Sequence, residues 1–394
     1  VTKYAALVLC AFTACKRGGG GVSGVVDAAA TFHPSARAHT NASAITISNL
    51  DAEIADAEKA AAKGDALFRR KLPAKLVSRA AFLGTLEDYD RADALSAANA
   101  ASDPQDGSVL LTRAHVLSAL HRFDEALTAL DAAGAHGGDL EDVDRTRANI
   151  FLATGRCAEA QRTYPQLPYA TDLAARGAIE QRLGHAALGE TLFERGRTEF
   201  RDVSPTKFAW MDFERARAFE REGDTVRARA YLEDALETFP EYAHAAVHAA
   251  LLEPPDRAIA LLAPVEKRAT DPDVIAAHAD ALRRAQRDAE AAPLVAKARA
   301  RIDELLAKHP EAFADHAARF FLGQGGDVER ALDLAKGAAA KAPTEETLEL
   351  WLTAARAAHR DDEACAAARA AEKTTCAMGV ARAQFDAARA KCPR

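Results

Sequence analysis

The phrases SRAAFL, TRAHVL and TRANIF start at Ser78, Thr112 and Thr146, so one small-Arg-Ala-x-x-apolar pattern recurs every 34 residues. An active site or a cofactor loop has no reason to recur at a fixed period, whereas a stacked structural unit must. Ala92, Ala126 and Ala160, in EDYDRADAL, HRFDEALTAL and GRCAEAQRTY, keep the same interval, and Ala228 in GDTVRARAYL falls three periods after Ala126. Twelve residues ahead of each stands a second small residue, Ala80, Ala114, Ala148 and Ala216. Small residues at two such points let one helix cross its partner closely. Pro104 and Pro240, twelve residues after Ala92 and Ala228, end the second helix of their units.

Composition agrees with a helical array. Apolar residues make up 49% of the 394 but aromatics only 6%, and β-branched runs are nearly absent after Ile47, so the chain reads as all-α with no sheet. The net charge is −7, with Lys and Arg interspersed among acids, which gives no electrostatic footprint for nucleic acid. Phosphate loop, nucleophile elbow and dinucleotide fingerprint are all missing, so neither an enzyme nor a cofactor is expected.

The spacing resembles the tetratricopeptide repeat, a 34-residue helix-turn-helix unit with a small residue at its eighth position, alanine at its twentieth and proline at its thirty-second. Tyr89, Phe123 and Cys157 stand where the family has an aromatic or apolar residue, three before the second alanine. With looser spacing, equivalent anchors fall at Gly189, Ala258, Ala291, Ala331 and Ala364. The resemblance implies a right-handed α-solenoid of about nine units over residues 66–375. Gaps of 39 residues between Gly189 and Ala228 and of 40 between Ala291 and Ala331 predict altered curvature there. Ser48 or Asn49 caps an expected N-terminal helix over residues 46–65 that ends at Gly64. A C-terminal helix over residues 376–394, with Val380, Phe385 and Ala388 on one stripe, would cap the last apolar face.

The chain opens differently. Residues 1–14, VTKYAALVLCAFTA, combine Lys3 with a short apolar run, as in a secretory signal. Phe12-Thr13-Ala14-Cys15 resembles the bacterial lipobox, which implies lipidation of Cys15; an ordinary cleaved signal beside a chance thiol is the alternative. Lys16, rather than Asp, after that cysteine implies the outer membrane, facing the periplasm. Residues 15–45, rich in Gly, Ser and Ala, read as a flexible tether.

Arg79, Arg113, Arg147, Arg176 and Arg215 precede the first small residue of their units. They would form either a basic ladder for an acidic partner or, as their position in the family implies, seams between adjacent units. The resemblance places the concave groove elsewhere, on Ser108, Leu111, His115, Asp142, Arg145, Asn149, Trp210, Phe213, Arg217 and Glu220. Arg145 and Asn149 resemble half of a clamp for a peptide's terminal carboxylate, while Trp210 and Phe213 read either as an adhesive patch beside Arg217 or as core filler. His244, His248 and His278 would bring three imidazoles onto neighbouring helices, but without an HExxH motif, and surface histidines are the bland alternative. Cys157 reads as an unpaired core thiol, and any bridge among Cys365, Cys376 and Cys392 would include Cys365. The expected function is a non-enzymatic scaffold at the bacterial envelope that holds a protein or peptide in its groove. The alternative is a module that binds cell-wall glycan or regulates its hydrolysis.

Overall fold

A computed structural model describes Phe32, Pro34 and residues 39–392. The expected signal sequence, Cys15 and most of the expected tether lie outside the described residues. Twenty α-helices follow one another among those that are described. Helix α1 (Ser43–Ala62) precedes nine sequential antiparallel pairs. These are α2 (Ala66–Leu83) with α3 (Glu87–Ser102), α4 (Gly107–Ala119) with α5 (Phe123–Ala135), and α6 (Leu140–Ala153) with α7 (Cys157–Thr163). Next come α8 (Ala170–Arg182) with α9 (Ala186–Glu199), α10 (Pro205–Glu222) with α11 (Thr225–Thr238), and α12 (Ala243–Leu252) with α13 (Pro255–Glu266). The last three are α14 (Pro272–Arg284) with α15 (Asp288–Lys308), α16 (Pro310–Leu322) with α17 (Val328–Lys341), and α18 (Glu345–Ala357) with α19 (Asp361–Ala371). A short 3-10 turn at Gly379–Ala381 leads into α20 (Arg382–Arg389).

Local chemistry sets the starts and stops. Asp65, Asp106, Asp139 and Asp271 accept hydrogen bonds from backbone N–H groups at the starts of α2, α4, α6 and α14, which satisfies donors that no helical carbonyl can reach. Left-handed residues make the turns inside pairs, including Gly84, Gly155, Gly184 and Gly223, and also the non-glycines His121, Gln286 and His359. The anchors of the 34-residue period lie where the helices cross: Ala92, Ala114, Ala126, Ala148, Ala160, Ala216 and Ala228 are fully buried. In the fourth pair the anchors are glycines. A Cβ on Gly189 would stand 2.9 Å from the Gly177 carbonyl, so this crossing is too close even for alanine.

Four of the five arginines before the small residues, Arg79, Arg113, Arg147 and Arg215, are seams. Arg113 binds Asp93 on α3, Arg147 reaches Asp131 on α5 at 2.8 Å, and Arg215 binds Glu190 and reaches Glu194 on α9 at 2.8 Å. Arg79 grips Asp88 of its own pair at 2.7 and 2.8 Å and Asp51 on α1 at 3.0 Å. Each thus ties its pair to the element before it.

Four expectations are corrected. Helix α1 begins at Ser43, five residues before the expected cap, because the Asn41 amide donates to the Val203 carbonyl at 2.9 Å and fixes the chain there. The tether is also held at Phe32, whose ring lies 5.7 Å from that of Tyr231. At the other end, residues 374–378 are not helical, and Gly379 has φ 45°, a left-handed conformation that glycine adopts freely and that breaks the expected right-handed helix. Cys157 is not a free thiol: it is bonded to Cys376, 219 residues away, while Cys365 pairs with Cys392.

The array coils onto itself. At the tip of pair 1, the Gly84 carbonyl accepts from the Thr270 amide at 2.8 Å, just ahead of pair 7. The His121 ring at the tip of pair 2 lies beside Glu311 at the start of pair 8. At pair 3, a Cβ on Gly155 would come within 2.5 Å of the Pro343 carbonyl ahead of pair 9. Six pairs therefore complete one turn of the coil, and successive turns touch. The 40-residue gap lengthens α15 to 21 residues, whose end carries Lys308 and His309 to Asp90 on α3 at 3.0 and 2.6 Å.

Candidate functional site

Where the coil closes, the end of one helix meets the start of another. Arg182 ends α8, and Glu345 and Glu346 begin α18, so opposite poles of two helix dipoles face each other. Thr344 and Thr347 fix that start with reciprocal side-chain bonds. Glu346 accepts from Arg182 at 2.7 and 2.9 Å and from Arg217 on α10 at 3.3 Å. Burial pushes the Glu346 carboxyl up, but Arg182, Arg217 and Arg221 outweigh it and hold it well below the usual carboxylate range. Arg221 suffers the converse: burial, together with the nearby charge of Arg182, pushes its guanidinium down to about 9. Glu345 is 4% exposed, and burial beside Glu346 raises it to about 7.

A second ionic cluster joins α14 and α16. His316 Nδ1 lies 2.6 Å from Asp273, and Arg319 holds Asp315 at 3.0 Å. Burial lowers the His316 ring, yet Asp273 and Asp315 prevail and raise it to about 10. Burial next to Asp273 lifts Asp271 to about 7, and burial beside His316 holds His244 low. In both clusters charged groups from different helices are paired with one another within the folded chain.

The residues expected to line the groove fall in different settings. Asn149 is exposed. His115 shares a 2.7 Å hydrogen bond with Thr146, and Arg145 is held by Asp172 at 2.8 and 3.2 Å and by Asp142. Phe213 is 6% exposed and packs on Tyr242 and His248, while Trp210 fills the space between the cores of pairs 3 to 5, so both take the core-filler position. Arg217 joins the Glu346 site. His248 faces Glu220 at 3.0 Å, His278 faces Glu266 at 2.9 Å, and His244 stands 3.8 Å from Asp271. The three imidazoles do not converge, and no group of three His, Cys, Asp or Glu among the described residues is placed to hold a metal ion. Arg182, Glu346 and His316 went unread in the sequence, although the acids after Thr344 already marked a helix start.

No family model matches the chain, and neither does any curated protein. Among solved structures it is similar to the human IFIT1 dimer with PPP-AAAA, at 14% identity over 80% of this chain and 88% of that one, with a TM-score of 0.42. It is also similar to a monomeric IFIT1 mutant with m7Gppp-AAAA in the anti conformation of the cap, at 14% identity over 82% of this chain and 76% of that one, with a TM-score of 0.36. A likeness at that level carries nothing about this chain's ligands.

Proposed function

We propose that the protein is a non-enzymatic scaffold for protein–protein interaction, held by lipid on Cys15 at the bacterial outer membrane, facing the periplasm, and aiding assembly of an envelope complex. The observation that carries the scaffold reading is the continuity of the array: α1, nine pairs and α20 form one stack from Ser43 to Arg389. Two disulfides support an oxidising compartment, because such bonds persist outside the cytosol and are rare within it. Exposed Asn149 and half-buried His115 are polar groups that a peptide in the expected groove would meet.

Crosslinking in intact cells, followed by purification from membranes, tests the partner. One protein should be enriched with the wild type and lost with His115→Ala and Asn149→Ala together; no enriched protein would sink the reading. Labelling with a radioactive fatty acid tests the anchor, since wild type should incorporate it and Cys15→Ala should not.

A further inference from the structure

The C-terminal segment straps the coil shut. Between α19 and the 3-10 turn it runs over the turn tips of pairs 3, 4 and 5 in order. The Thr375 hydroxyl donates to the Gly155 carbonyl at 3.4 Å, and the Ala377 amide donates to the Arg182 carbonyl at 2.6 Å. Val380 then reaches Gly223, where a Cβ would stand 3.0 Å from its methyl group. These three tips carry left-handed glycines, Gly155, Gly184 and Gly223, with φ of 74°, 84° and 77°. Lacking Cβ atoms, they leave room for a second chain to lie across them.

Two further ties act at the same place. Cys376, in the middle of the strap, is bonded to Cys157 at the start of α7. Met378, 2% exposed, is sunk in the core of pair 9. The strap therefore fixes pair 9 against pairs 3 to 5, and with it the carboxylate of Glu346 against Arg182 and Arg217.

We propose that this strap is a redox-opened latch: while Cys157 and Cys376 are bonded, Glu346 fills an arginine site on pairs 4 and 5, and once they are reduced an acidic peptide takes its place. The inference rests on the scaffold reading, since it concerns when that scaffold accepts a partner and what charge the partner brings. A covalent tie keeps Glu346 at a high effective concentration beside the arginines, which a free carboxylate cannot match. Without the tie, Glu346 is held beside the arginines only by the stacking of pair 9 on pair 8, the approach of Pro343 to Gly155, and the strap's two hydrogen bonds and apolar contacts. The occupant must be acidic, because Arg182 loses its ion-pair partner when Glu346 leaves, and Arg217 is left with Glu220 alone. Arg221, which makes no ion pair among the described residues, adds a third cation at the same place. Reduction breaks the Sγ–Sγ bond, and two electrons and two protons convert it into two thiols. Cys157 and Cys376 are buried in the closed state, so a dithiol reaches the bond when the strap frays, supplies the electrons and protons, and is left as a disulfide. Cys365–Cys392 ties the end of the chain to α19 of pair 9 and does not cross to pairs 3 to 5.

The test uses the full chain in detergent, with amide hydrogen exchange and the fluorescence anisotropy of labelled hexaglutamate. Cys157→Ser with Cys376→Ser should lower protection about tenfold or more at Ala377 and over 345–348, and should tighten hexaglutamate binding about tenfold. Cys365→Ser with Cys392→Ser should not change hexaglutamate binding, and Glu346→Gln in the oxidised chain should tighten it without opening the strap. Adding Arg182→Gln and Arg217→Gln to the latch variant should abolish the gain. Unchanged protection in the latch variant overturns the proposal, as does a general loss of helix by circular dichroism, which would make the bond a requirement for folding. Opening with no gain in hexaglutamate binding overturns the gate, while the scaffold reading stands or falls separately on crosslinking.

Discussion

Glu346 grips Arg182 through hydrogen bonds of 2.7 and 2.9 Å, although the two residues stand 164 apart in the chain. Their side chains are 24% and 16% exposed, so the pair is shielded enough for its loss to register. Glu346→Gln keeps the shape but removes the charge facing Arg182 and Arg217. It should lower unfolding stability by about 2 kcal/mol, the scale of hydrogen bonds to charged groups, as read from urea denaturation. No change would mean that water replaces the contact freely.

Arg197 on α9 is 1% exposed at its side chain and binds Asp212 on α10 at 2.8 Å and Asp234 on α11. Arg197→Met leaves two buried carboxylates without that cation and should cost about 3–5 kcal/mol. Adding Asp212→Asn and Asp234→Asn should recover part of the loss. A single variant as stable as wild type would show that these acids do not depend on Arg197.

Two glycines inside helices should respond oppositely to alanine. At Gly189 the new Cβ would meet Gln181 Cγ at 2.7 Å and the Gly177 carbonyl at 2.9 Å, so Gly189→Ala should cost about 1–3 kcal/mol. At Gly337 on α17 nothing lies within 4 Å, so Gly337→Ala should add about 0.5–1 kcal/mol by restricting the unfolded chain. Thermal melts of the two variants check both signs at once.

His316 gives a pH signature. Its ring is held near Asp273 and Asp315, with Arg319 and His244 opposing, and its proton affinity is raised from 6.5 to about 10. The folded state therefore binds that proton more tightly than the unfolded chain. The contribution is fully present below pH 6.5 and is lost as pH rises through about 10. The stability difference between wild type and His316→Gln should accordingly shrink from about pH 6 to about pH 10. A difference that stays constant across that range would refute the pairing.

What the sequence discloses is what neighbours in the chain decide. Ala114 and Ala126 announce a close crossing because only a small residue permits it, and Arg113 and Arg147 announce seams because their carboxylates come from the pair just before. The fourth pair was harder to place, since Gly177 and Gly189 take the alanine positions. Contacts such as Glu346 with Arg182 escaped notice because they depend on rotation accumulated over several units, to which each unit adds only a little. Cys157 was misread for the same reason: its local setting is that of a core residue, and its partner arrives from the far end of the chain. The last segment looked helical from the stripe of Val380, Phe385 and Ala388, yet Cys376 and Met378 are drawn away from that stripe, into a disulfide and a core.

The touching turns change how such a molecule should unfold and evolve. In an open array each unit meets only its neighbours, so stability is a sum along a line and units can be gained or lost singly. Here Gly84 meets Thr270 and Gly155 meets Pro343, and deleting one unit between them would put every later tip out of register. Contacts of such long sequence separation make folding slower and more nearly all-or-none than in a linear array. Changes in length should therefore be tolerated at the ends of the chain and resisted in its middle.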